Sequence, residues 1–558
     1  MMIAPQPSSS TDIDHALDRL AAGAGTLQRM SLPQRLSLLE RCIEAVADVA
    51  VDWVEAACEA QRIDERSPAR TEEVTTGPLA TMRFLRLAAQ TYRDIERQGA
   101  PRLPGTVTRV AGQCRIAVFP TPLMYDSLLF RPMTAETWLH PEVPLVAPSA
   151  ASTARLVDTQ RQSDVVVVLG AGNVSSIPVT DALTKIFLEG SVVALKMNPV
   201  NDYLGPIFQR GLAPLIDSGL LQLVYGGVPE GKALIASEQT AGVHITGSIE
   251  SHDNIVWGTD ADREQRRAEN RPRLNKTITS ELGNVTPWAI LPGRYSDAEL
   301  RAQVQAIASS IVNNVSFNCI ATKVLITCRD WPQREQFHQL LREVLDSTPL
   351  RHAYYPGAGD RFARFSGRPA EDPQRLPWTL LPDVDPRTAP HLLQEESFTP
   401  VCAELVLDAE SELDFLQQSV EVMNDQIWGT LAASLTVPDA FQRSHADALD
   451  AALQKLRYGT IGINQWSALS FALMSPPWGG HPGASLQDAQ SGIDFVHNTY
   501  LLDRPEKTVL RAPLRVKPKP IWDSTHRHPE RVTWDLLDLY RSESMWKLLK
   551  LAIGSFTG

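Results

Sequence analysis

The sequence predicts an α/β protein of two doubly wound domains, with a helical N-terminal segment and an extended C-terminal tail. Three observations predict it. Between residues 164 and 248, short apolar runs alternate with amphipathic helical stretches at the spacing of βαβ units, whose strands form a parallel sheet. A second alternation of helix, strand and helix runs through residues 302–345. At 558 residues the chain also exceeds what one hydrophobic core usually organises.

Taken in order, residues 32–98 read as helical, with Leu36, Leu39, Cys42, Ile43, Val46 and Val49 near one stripe. The Pro101-Arg102-Leu103-Pro104-Gly105 run breaks that pattern, and residues 106–119 read as one or two strands. Residues 120–163 are proline-rich, with aromatic islands at Tyr125, Phe130 and Trp138, and read as an insertion. Such a segment either shapes a substrate entrance or elaborates the surface.

Val165–Leu169 is a short apolar run suited to a buried parallel strand, and Gly170 to Ser176 is a small-residue turn after it. Val179, Ala182, Leu183, Ile186 and Phe187 then mark a helix that Gly190 stops. Further strands are expected at 192–197, 220–225 and 243–248, with a helix at 202–217 between the first two. The charged stretch 251–273 reads as a solvated helix or loop. A helix is expected at 302–312, a strand at 323–327 and an amphipathic helix at 334–345, while the proline-rich stretch 351–387 reads as an irregular crossing.

Composition narrows the function class. Apolar residues make up 43% and charged residues 21%, the balance of an ordinary globular protein. A net charge of −12 argues against a nucleic-acid surface, which needs a concentrated basic patch. The six cysteines are scattered without paired metal-ligand spacing, so reduced thiols and no metal are expected. No run of 18 apolar residues is present and the N-terminus lacks an apolar signal core, so no integral membrane segment and a cytoplasmic location are expected.

The chemistry concentrates between Glu281 and Cys319, 38 residues apart. A thiolate attacks an electrophilic carbonyl, and a carboxylate in the same pocket activates the water that later releases the acyl group. The surrounding residues are Glu281-Leu282-Gly283 with Pro287 following, a helix ending in Asn313-Asn314, and Cys319-Ile320-Ala321 running into an apolar strand. Together with Lys196, Gly247-Ser248 and Glu395-Glu396-Ser397-Phe398, this resembles the aldehyde dehydrogenase superfamily, over roughly residues 164–492.

The resemblance implies roles. Cys319 would be the nucleophile, Glu281 the base and Asn173 an oxyanion donor, although Asn173 reads equally as the cap of the next helix. Lys196, Gly247, Ser248, Glu396 and Phe398 would bind NAD or NADP; the motif Gly170-x-Gly172 lacks a third glycine and is weak by itself. Family members that prefer NAD often carry a Glu where Pro199 stands, which leaves NADP open. Departures at Gly172, Asn284 and Ser316-Phe317 touch the substrate tunnel and oxyanion geometry. The implied organisation is a helical segment (1–105), a dinucleotide-binding domain (106–280), a catalytic domain (281–480), and a return to the first domain with an oligomerisation segment and tail (481–558).

The expected activity is NAD(P)-dependent oxidation of an aldehyde to a carboxylic acid, by a homodimer or homotetramer. Acyl-CoA reduction and a non-catalytic binding or structural role are the alternatives. The tail carries 11 Lys/Arg against 7 Asp/Glu over residues 503–558, and residues 545–553 are amphipathic. It is expected to pack on the body or a neighbouring subunit, or to lie on a membrane surface.

Overall fold

Four valines and a leucine make Val165–Leu169 a natural buried strand, since β-branched side chains suit a pleated, covered surface. In the computed structural model, which describes residues 5–517, 519–523 and 526–555, it is the centre of a five-stranded parallel sheet. The order is Leu221–Val224, Val192–Lys196, Val165–Leu169, Gly242–Gly247 and Thr277–Leu282. The strand order reverses direction at the centre, and open sheets of this kind bind ligands in the crevice beyond the carboxyl ends of their strands.

After Leu282 the chain crosses to a ten-stranded sheet and enters it with Thr286–Ile290. Around that strand lie Thr322–Cys328, Val401–Leu407, Ala432–Thr436 and Thr460–Ile463, all parallel. Thr379–Leu381 closes one edge. At the other side Pro505–Arg511 joins the sheet, and a meander of Val107–Val110, Gln113–Phe119 and Thr134–Leu139 extends it antiparallel.

That meander is assembled by long-range pairing. Its strands do not join the parallel sheet next to them in sequence: Thr134–Leu139 pairs with Pro505–Arg511 in the large one, and Gln113–Phe119 and Val107–Val110 follow outward from it. The first hairpin is directed by its turn, in which Ala111 and Gly112 both have positive φ, 49° and 86°, as a tight two-residue hairpin requires. Residues 120–163 are likewise more regular than their prolines imply, containing the helical turn Asp126–Leu129, the strand Thr134–Leu139 and the helix Ala150–Val157.

Other differences have local causes. The expected 202–217 helix is broken at Leu212 into Gly205–Gly211 and Ala213–Asp217, each with a proline in its first turn. Ile249–Trp257 buries Val256 and Trp257 despite its charged neighbourhood. Residues 351–387 hold a helix, Ala358–Ser366, and the edge strand Thr379–Leu381. Within the helical N-terminal segment, the first helix, Ser10–Arg29, starts at a Ser9–Asp12 capping box and lays Gly23 against Gly219, where a Cβ would lie 1.9 Å from the Gly219 carbonyl oxygen.

The C-terminal tail packs on the body. Helix Pro529–Arg541 lies on the N-terminal helices, and Arg83 reaches it with Nη1, donating to the Tyr540 hydroxyl at 2.9 Å. Arg70 pairs with Glu530 at 3.2 Å, and Met545–Ser555 folds back with Leu548 and Leu551 buried. Among the described residues, no helix is long and apolar enough to cross a membrane.

Candidate active site

The segment ahead of Cys319 is conformationally costly. Helix Asp297–Val312 ends, and Asn314, Val315 and Ser316 follow with φ of 49°, 54° and 64°. Left-handed backbone at non-glycine residues costs about 1–3 kcal/mol each, and a β-branched valine is the least suited to it. The surroundings hold the turn in place. Glu72 accepts from the Asn314 backbone N–H at 2.9 Å, and the Asn314 amide donates to the carbonyls of Asn173 at 2.7 Å and Phe317 at 3.0 Å. The Tyr354 hydroxyl lies 2.9 Å from Asn314 Oδ1. Lys323 Nζ, fully enclosed, donates to Ser316 O at 2.9 Å, Ser316 Oγ at 2.8 Å and Thr399 O at 3.1 Å.

Beyond the turn, Thr286 Oγ1 donates to the Cys319 carbonyl at 3.0 Å and Trp466 Nε1 to the Ile320 carbonyl at 2.7 Å. Cys319 is thus fixed from both sides, and its sulfur is 3.8 Å from Asn318 Oδ1. Of the six cysteines, five are buried and Cys319 keeps accessible surface.

Glu281 is the penultimate residue of strand Thr277–Leu282, in register with Thr246 on the neighbouring strand. Its carboxyl lies near enough to the Cys319 thiol that each affects the other's protonation. Burial pushes the Glu281 carboxyl up to about 8, the charges of Asp181 and Glu396 adding to the rise while the bond to the thiol opposes it. Asp181 is itself held by Thr246 Oγ1, which donates to Oδ2 at 2.8 Å. Burial likewise raises the Cys319 thiol well above its ordinary value, with Glu281 and Glu396 contributing and its own backbone N–H opposing.

Two cavities meet here. The larger, of about 1220 Å³, runs along the carboxyl ends of the parallel strands, and all eight residues named from the sequence line it: Cys319, Glu281, Asn173, Lys196, Gly247, Ser248, Glu396 and Phe398. The smaller, of about 290 Å³, is largely apolar. Ile177, Glu281 and Cys319 line both.

Local structure explains how each residue reaches the crevice. Lys196 ends its strand, and desolvation lowers its ammonium pKa, opposed by the charges of Glu230 and Asp202. Ser248 caps the nine-residue helix Ile249–Trp257, its hydroxyl accepting from the Ser251 backbone N–H at 3.2 Å. Glu396 sits against the Gly283 backbone, where a Cβ would be 2.3 Å from Oε2, and accepts from the Asn284 N–H at 3.3 Å. Burial pushes the Glu396 carboxyl up and the Lys323 ammonium down, each countered by the other's charge. Phe398 stacks on Phe317 with centroids 6.0 Å apart.

Asn173 does not cap the following helix. Helix Ile177–Leu183 has Ser176 at its cap position, and the Asn173 amide instead donates to the Phe317 carbonyl at 3.0 Å. Gly170 and Gly172 allow close packing, since Cβ atoms there would meet Pro178 at 2.8 Å and Asn198 at 2.7 Å. Sequence reasoning passed over Lys323, Asn314, Tyr354 and Asp181. Lys323 did carry a signal, as a lysine inside an otherwise apolar strand.

No protein-family model and no curated protein matches this sequence. Solved structures do match. An aldehyde dehydrogenase from Pseudomonas aeruginosa is 16% identical, with 90% of this chain and 89% of that one aligned at a TM-score of 0.60. The chain has the aldehyde dehydrogenase fold. Glyceraldehyde-3-phosphate dehydrogenase from Methanocaldococcus jannaschii, complexed with NADP, is similar at 14% identity over 91% of this chain and 95% of that one, TM-score 0.60. Aldehyde dehydrogenase C from Pseudomonas syringae, complexed with NAD+ and octanal, is similar at 16% identity over 90% and 89%, TM-score 0.59. Within that fold, Glu281 comes from an edge strand of the five-stranded sheet and Cys319 from the turn leading into Thr322–Cys328 of the ten-stranded one.

Proposed function

We propose that this chain oxidises an aldehyde to a carboxylic acid through a covalent adduct on Cys319, with NAD or NADP as the oxidant. The observation that carries the reading is the meeting of a half-buried cysteine and a buried carboxyl where two cavities of different character join.

The larger cavity suits a dinucleotide. Its 1220 Å³ is room for roughly forty water-sized groups at about 30 Å³ each. Lys196, Gly247 and Ser248 would hold one end, where a Cβ at Gly247 would meet nothing nearer than the Ile245 side chain at 3.6 Å and the helix start favours an anion. Glu396 and Phe398 would hold the other. When bound, the dinucleotide supplies the acceptor for the hydride lost by the covalent adduct. Pro199 supplies no carboxylate to discriminate against a 2′-phosphate, so both forms stay in the proposal.

The chain's own residues perform the rest. The Cys319 thiol gives up its proton to water and, as the thiolate, adds to the carbonyl carbon, whose displaced electron pair becomes an oxyanion on oxygen. One amide hydrogen of Asn173 is used on Phe317, leaving the second, with the Cys319 backbone N–H, to stabilise that charge. Once the adduct has become a thioester, ionised Glu281 takes a proton from water, the resulting oxygen attacks the acyl carbon and the carbon–sulfur bond breaks. Because burial holds the Glu281 carboxyl near 8, this last step gains strength above neutral pH. The same proposal includes self-association as a homodimer or homotetramer and a reducing, cytoplasmic setting.

The test is a binding titration with NAD and NADP followed by an aldehyde panel, with Cys319→Ala as control. Dinucleotide reduction that Cys319→Ala abolishes supports the reading. Oxidation of NADPH with acyl-CoA and no turnover of any aldehyde would replace it with thioester reduction, and failure to bind either dinucleotide would leave a non-catalytic protein.

A further inference from the structure

The smaller cavity is built in part by the C-terminal tail. Trp522, Leu536 and Tyr540 form one wall, and Phe130, Met133 and Phe471 stand among the residues of the others, with Cys319 and Glu281 at the junction with the larger cavity. Two of these lining residues, Phe130 and Met133, belong to the 120–163 segment, so that segment and the C-terminal tail meet at this chamber.

The tail is fixed there by buried polar bonds. Arg83 donates to Asp126 through Nη1 at 2.8 Å and Nη2 at 2.6 Å, to Tyr540 through Nη1 at 2.9 Å, and to the Leu473 carbonyl through Nε at 2.7 Å. The cations on the chamber wall are charge-paired, Arg83 with Asp126 and Arg351 through Nη1 with Glu72 at 2.6 Å, although Arg351 Nε and Nη2 keep no hydrogen-bond partner.

We infer that the C-terminal segment is a specificity element that closes an apolar acyl chamber, and that the substrate is an aldehyde with a medium-length hydrocarbon tail. The inference rests on the aldehyde oxidation proposed above. A chamber of 290 Å³ has room for on the order of ten carbon-sized groups. Each methylene taken from water into such a wall improves binding about fourfold. Selectivity should therefore climb with chain length until the chamber is full.

The test measures kcat/KM for propanal, hexanal and decanal with the full chain and with Leu536→Trp and Leu536→Ala. The wild type is expected to favour decanal over propanal by at least 100-fold, roughly four methylenes' worth at fourfold each. Leu536→Trp lowers that ratio at least tenfold by filling the chamber, and Leu536→Ala moves the optimum toward longer chains. A wild-type ratio near one, or a ratio that neither variant changes, overturns the inference. Calorimetric titration with the unreactive alcohols hexanol and decanol separates the two readings. A chain that oxidises no aldehyde but binds decanol at least tenfold more tightly than hexanol keeps the chamber and loses the reaction. Equal affinity for the two alcohols, or binding of neither, overturns the chamber.

Discussion

If Glu281 releases the acyl group from Cys319, the pH dependence of that step follows from where the carboxyl sits. Burial and the nearby Asp181 charge hold it near 8, against an ordinary value of 4.5. At pH 7 about one carboxyl in ten is ionised, and at pH 9 about nine in ten, so the base-dependent rate should rise about tenfold over that interval. A p-nitrophenyl ester of an apolar acid isolates the step, because it acylates a thiol without any dinucleotide. Its burst reports acylation, and the steady phase that follows reports hydrolysis. Wild type should show a steady phase that rises about tenfold from pH 7 to 9. Glu281→Gln should keep the burst, lower the steady phase about 100-fold or more, and lose the rise. A steady phase that is flat from pH 7 to 9, or one that still rises in Glu281→Gln, would refute the assignment of Glu281 as the base.

Other consequences can be checked alongside. Asn173→Ala should lower kcat for aldehyde oxidation by about 100- to 1000-fold, the usual effect of losing an oxyanion donor, and a loss under fivefold would return the residue to a purely structural role. Lys323→Ala strands three acceptors behind the nucleophile turn and should cost about 3 kcal/mol in urea unfolding, whereas a change below about 1 kcal/mol would mean the turn is held elsewhere. Asp126→Ala removes the partner of the buried Arg83 and should destabilise by about 3–5 kcal/mol, read as a lower thermal midpoint. Glu404, buried with hydrogen bonds from His338, Arg334 and Thr327, is held down to about 2, burial opposing and those bonds prevailing. Its contribution of about 3 kcal/mol is present above the ordinary carboxyl value and is lost as pH falls toward 2. Glu404→Gln should therefore flatten the acid limb of the stability curve, and an unchanged limb would contradict that balance.

Much of the parallel sheet was legible because its strands are short apolar runs separated by helical text, as in Val165–Leu169 and Val192–Lys196. The candidate site could be named for a different reason: a thiol, a carboxyl and a few small-residue turns stand at the places along the chain that the family resemblance implies. What escaped was pairing at long range. Nothing near Thr134–Leu139 announces that it will pair with residues 505–511, since antiparallel partners this far apart share no local signal. The role of Lys323 was hidden similarly, because its acceptors are carbonyls and a hydroxyl delivered by backbone bends at Ser316 and Thr399. Asn173 shows the limit of reading a residue by position. Its distance from the next helix admits a cap, yet Ser176 takes that place and the amide turns to Phe317.

The most direct measurement of the central claim is the intact mass, followed by peptide mapping, of Glu281→Gln incubated with an apolar aldehyde and NAD or NADP. With release blocked, the chain should gain the mass of one acyl group, mapped to Cys319 and absent from Cys319→Ala. No mass gain, or an acyl group on a different residue, would contradict it.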